Sequence, residues 1–178
     1  MAKKYKYNVS QSRNIEFANS FPNSDIAPVI AITSNFANCV VKVLLHGNKI
    51  YVQQLACDKP SIMPFFYEKH KSIFDSKYTI IVDCSELQAD FLRERNFSVL
   101  NYGRHYDFVE KVFHGEIVLI SENMEHVSNG IYWSLNMFKH TTGDIQEFCE
   151  NNVFIKAICL ALQYYRKGYC LDLELTNI

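Results

Sequence analysis

Hydrophobic and polar positions change rhythm at Pro28. Before it, MAKKYKYNVSQSRNIEFANSFPNSD is polar, begins with three lysines and keeps no period, so residues 1–27 read as a mobile or irregular arm. After it come PVIAIT, CVVKVLL and KIYVQQLA, apolar or alternating runs of strand length. The Gly47-Asn48 pair between the last two is a hairpin signal. Pro60 then opens a stretch in which Ile62, Phe65, Phe66, Lys69 and Ile73 suit an amphipathic helix, starting no earlier than the turn that holds Pro64.

From Tyr78 onward strand-like and helix-like segments alternate, the sequence sign of a parallel or mixed sheet covered by helices. YTIIVD is the fourth strand. SELQADFLRER, opened by a capping-type Ser85, puts Leu87, Phe91 and Leu92 on one face of a short helix. FSVLNY and GEIVLIS read as further strands on either side of a helical HYDFVEKVF, and NMEHVSNGIYWSLNMF is a helix weakened by Gly130. A closing helix, about Ile145 to Arg166, carries Phe154, Ile155, Ile158, Leu162 and Tyr165 at helical spacing. No repeat, low-complexity tract or linker divides residues 28–178, and a chain of 178 residues with 48% hydrophobic content can build one sizeable core. The expected fold class is therefore α/β in a single domain.

A formal net charge of -1 supplies no basic excess for strong counterion-release binding, so any contact with DNA is expected to be weak. The eleven Tyr and thirteen Phe fall mostly at apolar-periodic positions and fit core packing better than a base-stacking platform. Six cysteines (Cys39, Cys57, Cys84, Cys149, Cys159, Cys170) show no C-x-x-C and no nearby paired histidines, which argues against zinc. Free thiols in apolar segments and no secretory h-region imply a reducing, intracellular setting. The apolar runs are too short to span a bilayer, so no membrane association is expected. A P-loop, a G-x-S-x-G elbow and an H-E-x-x-H pair are all absent.

The chemistry-bearing candidate is Asp83, a lone acid at the end of an apolar strand. Burying such an acid is costly unless a metal, a cation or a substrate in a crevice compensates it. Glu86 could be a second ligand, but near the start of a helix after Ser85 it also fits the helix dipole. Glu147 and Glu150, as acids at the start of the closing helix, are open to the same two readings. Cys84 has no identifiable base, and His105, His114, His126 and His140 show no spacing that suggests a dyad.

Three strands, a helix, a fourth strand ending in an acid, then alternating elements and a closing helix is the order of RNase H-like nucleases. The chain more specifically resembles the nuclease domain of phage large terminase subunits. GNKIYVQQL, YTIIVDCSE with its following LQADFLRERNFSVL, and ENNVFIKAICLALQYY carry the resemblance, which spans most of Pro28 to Tyr165. It implies an RNase H-like mixed sheet, with three antiparallel strands followed by parallel ones, and a site in which three acids hold two divalent cations at a phosphodiester. At the matching positions this chain has Thr33 for the first acid and Asp83 for the second. The D-H-x-x-D-A pattern of the third reads Asn152, Val153, Phe154, Ile155, Lys156, Ala157.

One carboxylate cannot offset two divalent ions in a partly desolvated cleft, and Lys156 adds a further positive charge. The resemblance therefore implies a degenerate nuclease from a phage or phage-derived element. It would need no cofactor, would pair the Lys156 ammonium with Asp83, and would serve as a binding or assembly module with a protein partner. One alternative is a working nuclease using magnesium or manganese, with Asp83 and relocated acids such as Glu86 or Glu150. Another is a host-interaction protein that uses exposed aromatics such as Tyr132 and Trp133.

Overall fold

The computed structural model describes residues 15–33, 38–103, 116–120 and 152–175, with 166–175 described as helical backbone. The predicted helices over HYDFVEKVF and NMEHVSNGIYWSLNMF, together with Glu147, Glu150, Tyr132 and Trp133, lie outside the described residues. Seven strands form one sheet: β1 (Ile15–Ala18), β2 (Val29–Thr33), β3 (Asn38–His46), β4 (Lys49–Asp58), β5 (Ile80–Val82), β6 (Val99–Asn101) and β7 (Glu116–Ile120). Their order is β1-β7-β4-β3-β2-β5-β6. β3 is antiparallel to β2 and β4, and every other neighbouring pair is parallel, so β3 alone runs against the rest. Three consecutive antiparallel strands with β5 laid parallel beside the first is the RNase H-like mixed sheet expected from the sequence.

The hairpin joining β3 to β4 turns at Gly47 and Asn48, with His46 paired to Lys49. Gly47 has φ +60 while Asn48 does not enter the left-handed region, the type II′ pattern in which the first turn position needs glycine. Farther along the same pair the register slips by one residue. Val41 faces Gln54 but Val40 faces Ala56, so Leu55 is a β-bulge.

Helices cover both faces of the sheet. On one lie α1 (Met63–Lys69), a 3-10 turn (Lys71–Ile73) and α2 (Glu86–Arg93), packed through Met63, Phe66, Ala89 and Leu92 onto Ile30, Ile32, Val40, Ile80 and Val82. Aromatic rings extend this layer, with Tyr67 packed edge-on to Phe74, Phe91 and Phe97. On the other lies the closing helix, α3 (Val153–Leu175), whose Ile155, Ile158, Cys159 and Leu162 pack among Val29, Ala31, Val41, Val43 and Ile81. The Tyr165 hydroxyl reaches the backbone carbonyls of Ala27 and Val43 at 3.0 and 2.9 Å, which fixes the roll of the helix.

Several expectations need correction. Ile15–Ala18, placed in the irregular arm, is an edge strand paired in parallel with β7. Leu87 is exposed, because α2 turns Ala89 and Leu92 to the sheet and leaves Phe91 at its flank. Ile62 and Phe65 are exposed as well, since Ile62 is the N-cap residue of α1 and the buried stripe is Met63 and Phe66. The closing helix runs past Arg166 and Gly168 to Leu175.

Candidate functional site

The carboxyl ends of β2 and β5 lie side by side, since the last register pair, Ile32 with Val82, is followed on each strand by a polar residue, Thr33 and Asp83. Strand alternation decides where these two point. Ala31 and Ile81 belong to the layer under α3 while Ile32 and Val82 belong to the opposite layer, so Thr33 and Asp83 face the closing helix. For Thr33 this is seen directly, since its hydroxyl donates to the carbonyl of Val153, the first residue of α3, at 3.3 Å. A rigid sheet end and a helix start thus meet at one point.

The start of α3 is well built. The Asn152 side-chain oxygen accepts the backbone N–H groups of Phe154 and Ile155 at 3.2 and 3.1 Å, an N-cap that satisfies donors otherwise left over at a helix beginning. Lys156 follows on the first turn, with its own N–H bonded to the Asn152 carbonyl. Lys156 is 1% exposed and Asp83 4%. Among the described residues these are the two buried ionisable groups of opposite full charge, and both sit where β2, β5 and α3 converge.

The described residues at the junction do not by themselves supply the ligands of a pair of divalent cations. Of the described groups at the junction, one is a carboxylate, one a hydroxyl already donating to a helix carbonyl, and one an ammonium. No cluster of three or more His, Cys, Asp or Glu side chains suited to a metal occurs among the described residues.

Glu86 is positioned for something else. It is the first residue of α2 after the N-cap Ser85, whose side chain makes no capping hydrogen bond. Its carboxylate accepts Arg93 Nη1 at 2.9 Å and Asn101 Nδ2 at 2.7 Å. Arg93, then Asn101, hold its carboxyl below the usual value. Asn101 also donates to the Cys84 carbonyl at 2.8 Å, so the group ties α2 to the end of β6. Cys84 itself is pushed up to about 11 by burial and then by the Asp83 charge, the wrong direction for a thiolate nucleophile.

Two thiols that sequence reasoning left unconnected extend the same row. Thr33 pairs with Cys39 on β3, and Cys39 pairs with Cys57 on β4. Asp83, Thr33, Cys39 and Cys57 therefore stand across four neighbouring strands at one end of the sheet. Below the sheet's other face, Asp58 binds Lys69 at 2.8 Å and the ring of His70, and both hold its carboxyl below the usual value.

Among the described residues no helix is long and apolar enough to cross a membrane. The sequence matches no known family model and no curated protein. Among solved structures the chain is similar to the nuclease domain of the large terminase g2p from bacteriophage SPP1, with bound Mn. The identity is 17% and the TM-score 0.45, over 69% of this chain and 77% of that one.

Proposed function

We propose that this chain is a nuclease-type scaffold that no longer cuts, in which the Lys156 ammonium offsets the Asp83 charge in place of metal ions. The observation that carries the reading is the burial of Lys156 on the first turn of α3, at the junction that also holds Thr33 and Asp83. A buried ammonium is tolerated when an anion faces it, and Asp83 is the buried carboxylate of the described residues at that place. With the acids of a two-metal site reduced to one, the retained frame serves as a binding or assembly module of a phage or phage-derived element. Its partner is a protein, and the slightly acidic balance of the chain leaves DNA a weak ligand.

Cleavage of supercoiled and linear DNA with magnesium or manganese tests the reading, and no cutting is expected. Robust cutting lost in Asp83→Ala would overturn it in favour of relocated acids. The complementary experiment restores the missing carboxylates with Thr33→Asp and Lys156→Asp together. Calorimetry should then detect divalent-cation binding that the parent chain lacks, and a flat titration would mean that the three positions do not form one site.

A further inference from the structure

We propose that Cys39 and Cys57 are a redox-active pair that closes reversibly into a cross-strand disulfide beside Thr33. The two are direct partners in the antiparallel β3–β4 ladder and both are free thiols. Directly opposed residues of such a ladder have Cα atoms about 4.5–5.5 Å apart, inside the roughly 4.4–6.8 Å range that a disulfide spans.

The bulge at Leu55 is what creates the pair. Counting back from the His46–Lys49 turn without it, Cys39 would face Ala56, and Cys57 would oppose Asn38 with its side chain on the other surface of the sheet. One inserted residue brings both sulfurs to the closing-helix face and turns Asp58 toward α1, where Lys69 and His70 receive it.

The two thiols also differ in the way a stepwise exchange requires. Cys39 is fully buried and Cys57 is exposed, so a solution oxidant meets Cys57 first. The hydrogen bond from Cys39 holds the Cys57 thiol down to about 7, while that same contact and then burial push Cys39 up. With oxidised glutathione, the Cys57 thiolate attacks one sulfur of the glutathione disulfide, forms a mixed disulfide and releases one glutathione thiolate. Cys39 then gives its proton to solvent and attacks Cys57 Sγ, forming the protein disulfide and releasing the second glutathione. Two protein thiols are oxidised and one glutathione disulfide is reduced to two thiols. In a reducing cell the pair stays open until an oxidant arrives.

The test equilibrates the folded full-length chain with oxidised glutathione, quenches with acid, alkylates, and reads intact mass and peptide maps. Free thiols are expected to fall from six to four, with the Cys39 and Cys57 peptides linked, and to return on reduction. Cys57→Ser, at an exposed position, should yield no linked peptide. Cys39→Ala should trap glutathione on Cys57. A stable glutathione adduct on Cys57 of the parent chain, a link between other cysteines, or no reaction of either thiol would overturn the proposal. Parent chain and Cys57→Ser decide it alone should Cys39→Ala fail to fold.

Discussion

Asp83 and Glu86 stand three residues apart and carry the same functional group, yet the sheet end separates them into opposite environments. Glu86 projects from the first turn of α2 with its side chain 67% exposed, and Arg93 and Asn101 hold it. Water would solvate it nearly as well, so its ion pair adds little. Asp83 follows β5 on the sheet face that the closing helix covers, with 4% of its surface exposed. Solvent cannot take over there. The lesson is that an exposed acid is replaceable, whereas a buried acid is specified by whatever opposite charge the fold brings to it.

The largest effect that would sharpen this contrast is in Lys156→Ala. On the proposed pairing, removing Lys156 strands Asp83, so urea denaturation should show a loss of about 3–5 kcal/mol. Replacing both charges, Asp83→Leu with Lys156→Met, should recover most of that loss; a double variant as unstable as the two single losses added together would show that the groups do not act as a pair. Asn152→Ala is expected to cost about 1 kcal/mol by removing the cap from the turn that presents Lys156. Thr33→Val should cost about 1 kcal/mol or less, since the Val153 carbonyl loses only one of its donors.

At the exposed end of the scale, Arg93→Ala should change stability far less than Lys156→Ala, and added salt should shrink the effect. The pH dependence has a definite sign. Arg93 and Asn101 depress the folded-state pKa of Glu86, so the contribution is complete above the ordinary carboxylate range and lost as pH falls through the lowered value. Glu86→Gln should therefore flatten the acid limb of the stability profile below about pH 5 and leave neutral pH nearly unchanged. A loss at neutral pH as large as that of Lys156→Ala would erase the distinction between the two acids.

Much of this was legible before any coordinates. The alternating runs from Val29 to Asp58 and the apolar run ending at Asp83 identify four strands, and the Gly47-Asn48 turn places two of them in a hairpin. Their order, with α3 at the end, carried the convergence of Thr33, Asp83 and the Lys156 turn, because strand order and alternation leave few other arrangements. The partner of Cys57 was not legible. A bulge leaves no mark in hydrophobic periodicity, and without the one at Leu55 the turn assigns Cys39 to Ala56. IEFA is too short for its alternation to stand out, and its partner lies far along the chain. Leu87 shows the limit of helical spacing, which fixes which residues share a face but not which of two adjacent stripes meets the sheet.

The parallel pairing of β1 with β7 dictates an order of assembly. Ile15 meets Ile117, about a hundred residues downstream, whereas β2, β3 and β4 find one another across short turns. Long loops close slowly, so the locally paired strands should form first and β1 can join only after β7 has docked on β4. Pulse-labelled hydrogen exchange during refolding should find the amides of Ile15–Ala18 protected later than those of Val29–Thr33. Lys49, 2.9 Å from Glu16 and 3.8 Å from Glu116, then marks the register in which the strand arrives. The earliest described strand thus arrives after the strands that follow it closely in sequence, and the edge it leaves, only four residues long, gives a foreign strand little to pair with.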